Sequence, residues 1–128
     1  MDKETYEREL VKTREFYFSL CSLSCPILDN KLVYFNQQGF RHFLRKEKGV
    51  RPEKDQLRRF YLFRTFIQSV VKSDKTFIKK VELRDQMRLW TIAKNIANTY
   101  CIRVVITKIR KGPYFYLSIM DEGNKNSG

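Results

Sequence analysis

Acidic residues are the first shortage. Of 128 residues, 26 are Lys or Arg and 14 are Asp or Glu, which leaves a formal net charge of +12. The carboxylates are scattered and form no DxD-like cluster to hold Mg²⁺, so metal-dependent nuclease chemistry is not expected. There is no run of about 18 apolar residues, and so no expected bilayer-spanning segment. Met1-Asp2-Lys3-Glu4 is charged and lacks the apolar stretch of a signal peptide. The three cysteines, Cys21, Cys25 and Cys101, cannot all pair, which points to a reducing, cytoplasmic setting. Zinc sites normally bring two close ligand pairs; here Cys21 and Cys25 are close while His42 and Cys101 stand apart, so no metal and no cofactor is expected. Walker, GxGxxG, GxSxG and HExxH motifs are all missing.

What the chain does have is apolar mass and positive charge. A hydrophobic content of 42% with 14% aromatics is enough for one folded core. The charge attracts polyanions, with nucleic acid the first candidate; a ribosomal-type protein or a membrane-surface binder would share it.

Apolar spacing predicts a helix over residues 2–20 through Tyr6, Leu10, Val11, Tyr17 and Leu20, ended by Ser22, Ser24 and Pro26. Lys31 to Phe35 reads as a short strand, and Asn36 offers an N-cap to a helix over 37–47 with Phe40, Phe43 and Leu44 inward. Pro52 suits the first turn of a third helix, 52–72. Strand character follows over 76–84, while 88–99 fits strand or helix equally. Ile102 to Ile109 and Tyr114 to Met120 read as a hairpin about Lys111-Gly112-Pro113. The expected class is α+β, with N-terminal helices followed by a four-stranded antiparallel sheet. One domain is expected: an N-terminal helical extension over 1–29, a core over 30–121, and a flexible polar tail over 122–128.

Strict alternation along the last strand would place Phe115, Leu117 and Ile119 in the core. Tyr114, Tyr116, Ser118 and Met120 would then lie on an open face suited to phosphates and stacked bases. Residues 86–120 contain six basic side chains, including Arg88, Arg103, Lys108 and Arg110, and no acidic one. From Arg41 to Arg64 nine basic residues face Glu47, Glu53 and Asp55. Two such clusters favour a polyanion groove, with Arg41, Arg45, Lys46, Arg103, Lys108, Tyr114 and Tyr116 as nucleic-acid contacts. His42 lies on the polar side of its helix, where a histidine is commonly plain surface; neighbouring cations would nonetheless keep it neutral and suited to act as a base.

The segment Val33-Tyr34-Phe35-Asn36-Gln37-Gln38-Gly39-Phe40-Arg41-His42-Phe43 resembles the strand, glycine and helical histidine of prophage-associated small nucleases of the barnase–EndoU–colicin–RelE-like superfamily. Arg58-Arg59, Trp90, Ile102 to Ile106 and Phe115-Tyr116-Leu117-Ser118 follow in the order the resemblance implies, over about residues 30–121. It implies a metal-independent endoribonuclease, a toxin or phage-defence effector acting on tRNA or mRNA, with an acidic antitoxin or immunity protein as partner. By position it implies catalytic roles for His42, for Arg59 or Arg58, and for Ser118. The alternatives are a non-catalytic basic nucleic-acid-binding module and a protein-interaction subunit that docks through its first helix.

Overall fold

The computed structural model describes residues 2–98 and 100–123. Helix α1 spans Lys3–Leu20, and the Asp2 carboxylate caps it by accepting a hydrogen bond from the Thr5 amide at 2.7 Å. The segment after it is a strand rather than a plain terminator. β1 (Ser22–Cys25) pairs antiparallel with β2 (Lys31–Tyr34) across a 3-10 turn at Pro26–Leu28. Asp29 and Asn30 close that turn at φ 57° and 60°, a region their short polar side chains tolerate.

Helix α2 (Gln37–Leu44) starts on Asn36, whose side chain accepts from the Gly39 amide at 2.9 Å. It ends three residues earlier than its periodicity predicts, because Arg45–Lys46 (β3) leaves it to pair with Gly49–Val50 (β4). Helix α3 (Glu53–Val71) follows Pro52 and carries Glu53 and Asp55 in its first turn, where carboxylates complement the helix dipole. Four long strands complete the chain: β5 (Phe77–Arg84), β6 (Met87–Ala97), β7 (Tyr100–Ile109) and β8 (Tyr114–Gly123). The ambiguous segment is thus β6. Residues 122 and 123 of the expected tail belong to β8, and the remainder of that tail lies outside the described residues.

The class is α+β, but the sheet is six-stranded and mixed, in the order β1-β2-β8-β7-β6-β5. β5 to β8 form an antiparallel meander of four strands within it. β2 adds a parallel pairing to β8 (Val33 beside Tyr114), and β1 extends the sheet beyond it. A parallel neighbour needs a long crossover, which here is nearly the whole intervening chain.

The helices cover one face of this sheet. Their shared core contains Tyr17, Val33, Phe43, Phe60, Phe63, Ile67, Ile92, Ile102, Val104, Ile106, Tyr116 and Ile119. Tyr17 is fully buried there, so α1 is integral to the core rather than an extension of it. A β-bulge corrects the expected alternation along β8. Val105 pairs with Ser118 but the next residue, Ile106, pairs with Tyr116, so Leu117 is extra. Tyr114, Tyr116, Ile119 and Asp121 therefore face the helices. Phe115, Ser118 and Met120 face away, and Phe115 stands in a cross-strand row with Thr107 and Leu89.

The junction of α1, α2 and β8 is tight. The Tyr17 hydroxyl donates to the Asn36 carbonyl at 2.7 Å, and a Cβ on Gly39 would collide with both the Tyr17 hydroxyl and the Tyr116 carbonyl. Tyr17→Phe should cost about 0.5–1.5 kcal/mol by removing that bond, since the Asn36 carbonyl keeps the Phe40 amide as a donor. Gly39→Ala should cost about 1–3 kcal/mol or more by overpacking. Equilibrium denaturation reads both, and an unchanged midpoint for Gly39→Ala would refute the close approach.

Candidate active site and nucleic-acid interface

Helix α3 carries Asp55 and Arg59 one turn apart, and Arg51 precedes Asp55 by the same spacing. This i, i+4 repeat gathers two guanidiniums around one carboxylate: Arg51 Nη1 lies 3.3 Å from Asp55 Oδ2, and Arg59 Nε lies 3.3 Å from Asp55 Oδ1. Each arginine also holds a backbone carbonyl. Arg51 Nε donates to the His42 carbonyl at 2.7 Å, satisfying the end of α2, and Arg59 Nη1 donates to the Ile119 carbonyl of β8 at 3.0 Å. Gln56, itself buried, donates to the Arg51 carbonyl at 2.7 Å and accepts from the Tyr6 hydroxyl. α1, α2, α3 and β8 are thereby joined at one corner.

His42 stands at this corner, half-buried. Burial, then the charges of Arg51 and Arg59, hold its imidazole below the ordinary value of 6.5. Burial is also the main influence on Arg59, pushing its guanidinium down, with Arg51 adding to the effect and Asp55 opposing it. Tyr116 lies beneath, its phenol raised well above 10.0 by burial although Arg59 and Arg51 pull the other way. His42 lines two adjoining depressions. One, of about 520 Å³, is shared with Lys46, Glu47, Lys48 and Arg51. The other, of about 200 Å³, is shared with Gln38, Arg41, Arg45, Lys46 and Glu47. The arrangement provides a neutral proton acceptor, fixed cations beside it, and exposed cations around the rim.

The expected site residues divide into separate groups. His42, Arg41, Arg45 and Lys46 come together, with Arg59 behind them. Arg58 turns away: its Nε donates to Asp121 Oδ1 at 2.9 Å and a second N–H reaches the other oxygen, and these bonds raise its pKa. Ser118 lies across the sheet on the open face expected for it, and the bulge separates it from Tyr114 and Tyr116. Arg103 is on that face too, its Nε 3.4 Å from Glu122. Tyr116 is a core residue rather than a stacking platform.

Lys108 and Tyr114 belong to a second place, a cleft of about 270 Å³ on the helix-facing side of the sheet, lined also by Leu83, Gln86, Arg88, Trp90 and Arg110. The rings of Trp90 and Tyr114 are 5.0 Å apart, centroid to centroid, and inclined at 57°. Sequence reasoning left Arg51, Asp55, Trp90, Arg88 and Arg110 without site roles. The 51-55-59 spacing was open to reading as one helical face, whereas the cleft depends on strand register.

Among the described residues, no group of three or more His, Cys, Asp or Glu could hold a metal ion, and no helix is long and apolar enough to cross a membrane. No protein family, curated protein or solved structure matches the chain.

The His42 corner makes a titration prediction. The imidazole midpoint, followed by NMR, should lie below 6.5 and move upward in Arg51→Gln, which removes one of the charges depressing it. The unfolded chain, with its unshifted imidazole, takes up the proton first as pH falls. The group's contribution to stability is therefore full above 6.5 and lost as pH falls from there through the folded-state value. A midpoint at or above 6.5 would show that burial and the arginines do not act on it.

Proposed function

We propose that the protein is a metal-independent endoribonuclease in which His42 moves the proton. The observation that carries this reading is the half-buried imidazole held neutral beside Arg51 and Arg59, inside a rim of Arg41, Arg45 and Lys46. RNA supplies its own nucleophile. His42 accepts the proton of the 2′-hydroxyl, the 2′-oxygen attacks phosphorus, and the bond to the 5′-oxygen breaks. The leaving oxygen takes a proton from solvent, giving a 2′,3′-cyclic phosphate and a 5′-hydroxyl. The guanidiniums of Arg51 and Arg59 offset the charge that builds on the phosphorane. Asp55 is a positioning residue that keeps the two arginines together. The toxin or phage-defence setting, a tRNA or mRNA substrate and an acidic antitoxin rest on the sequence resemblance alone.

A non-catalytic nucleic-acid-binding module is the second reading. It is favoured by the separation of Ser118 and Arg58 from His42.

Incubating total and tRNA-enriched RNA with the protein in EDTA discriminates the two. Wild type should give discrete cleavage, and His42→Ala should lose about 100-fold or more in rate. Ser118→Ala and Arg58→Ala should cleave nearly as well as wild type. Cleavage should persist as pH falls through 6.5 and fail only as it falls through the lower folded-state value, where the imidazole takes up its proton. RNA that stays intact yet shifts on a gel would establish the binding module instead.

A further inference from the structure

The cleft at the turn end of the sheet has features that its fold does not require. Leu83, Arg88, Lys108 and Tyr114 form one cross-strand row on β5, β6, β7 and β8. Arg88 is therefore directly opposite Lys108 on the neighbouring strand, and like charges so placed destabilise a sheet. Arg110 adds a third cation from the β7–β8 turn. It is held by Gln86 of the β5–β6 turn, whose carbonyl accepts its amide at 3.0 Å and whose side chain accepts its Nε. None of the seven lining residues is acidic. The repulsion is left in place, and an anion between the cations would relieve it.

The aromatic partners decide which anion. Lys108 Nζ stands 4.8 Å from the Tyr114 ring centroid, whereas Arg88 is 6.0 Å from Trp90, at the outer limit of cation–π contact. Arg88 is exposed and Trp90 partly so, so a flat ring can reach the indole face as the guanidinium swings outward. At about 270 Å³ the cleft falls below the roughly 300–1,000 Å³ of pockets that engulf a small molecule. It suits one unit of a strand whose remainder runs outside.

We propose that the Trp90–Tyr114 cleft binds one nucleotide of a single-stranded nucleic acid, stacking its base on the indole and holding its phosphate between Arg88, Lys108 and Arg110. Stacking on aromatic rings with cations along the backbone is how single strands are held without sequence readout. This site does not depend on the cleavage reading, because none of its residues belongs to the His42 corner.

Trp90 is the chain's single tryptophan and so reports on its own site. The full chain carrying His42→Ala, which removes the proposed cleavage, is titrated with single-stranded oligouridylate, the matching DNA, duplex RNA and inorganic polyphosphate. Single strands should quench Trp90 fluorescence saturably. Arg88→Ala should lower the salt slope of binding by about one. Tyr114→Leu should weaken binding about tenfold. Quenching by RNA alone would specify a ribose-reading site, and quenching by both strands a general one; both support the proposal. Equal quenching by polyphosphate or duplex, or single-strand binding that leaves Trp90 unchanged, would overturn it whether or not the wild type cleaves RNA. These ligand comparisons are made on one protein and do not depend on how the two variants fold.

Discussion

The Tyr17 hydroxyl is bonded to the entry of α2, and the functional corner depends on that bond. Tyr17 is fully buried among Phe35, Phe40, Phe43 and Phe63, rings that offer packing but no strong acceptor, with Tyr116 beside it. Its hydrogen bond to the Asn36 carbonyl satisfies it and fixes the entry to α2. Gly39 then lets α2 sit flush on β8. His42, three residues further along the same helix, inherits its position from that contact. A side chain in the first helix thereby sets the geometry of a residue that it does not touch.

The two basic places differ in how their charges are held. At the His42 corner, one carboxylate keeps two arginines together and a backbone carbonyl takes one further donor of each, so the cations are fixed and largely desolvated. In the cleft, cations lie on aromatic faces and beside one another with no carboxylate in the lining. The first arrangement suits charge that develops during a reaction, because its dipoles are already oriented. The second suits a ligand that arrives charged and flat. β8 runs past both, with Tyr114 in the cleft and the Ile119 carbonyl on Arg59.

Local signals carried the helices and the final hairpin. The Asn36 cap, Pro52 and the apolar stripe of Leu57, Phe60, Phe63, Ile67 and Val71 are readable within a few residues, and α2 and α3 begin where these indicate. The sheet was less legible because its decisive contacts are distant in sequence. Ser22 and Ser24 are poor strand formers that became β1 only because β2 lies beside them. The bulge at Leu117 has no glycine to announce it, and that one residue moves Tyr114 and Tyr116 to the helix side while Ser118 keeps the open face expected for it. The candidate site fared likewise. His42 and its basic neighbours follow from one helix, whereas placing Arg88 opposite Lys108 requires the exact register of two neighbouring strands at positions 20 residues apart in sequence.

The parallel contact between β2 and β8 also bears on how the molecule forms. Val33 pairs with Tyr114, so some eighty residues must be looped before that ladder closes. Contacts of this separation slow folding, and the four-strand meander from β5 to β8 can form by nearest-neighbour hairpins well before it. Until β2 arrives, β8 is an open edge of that meander. On the ribosome, α1, β1 and α2 emerge first and wait for the last strand of the sheet. The core around Tyr17 is therefore completed late, since Tyr116 is on that strand, and the His42 corner becomes organised only when the chain through β8 is present.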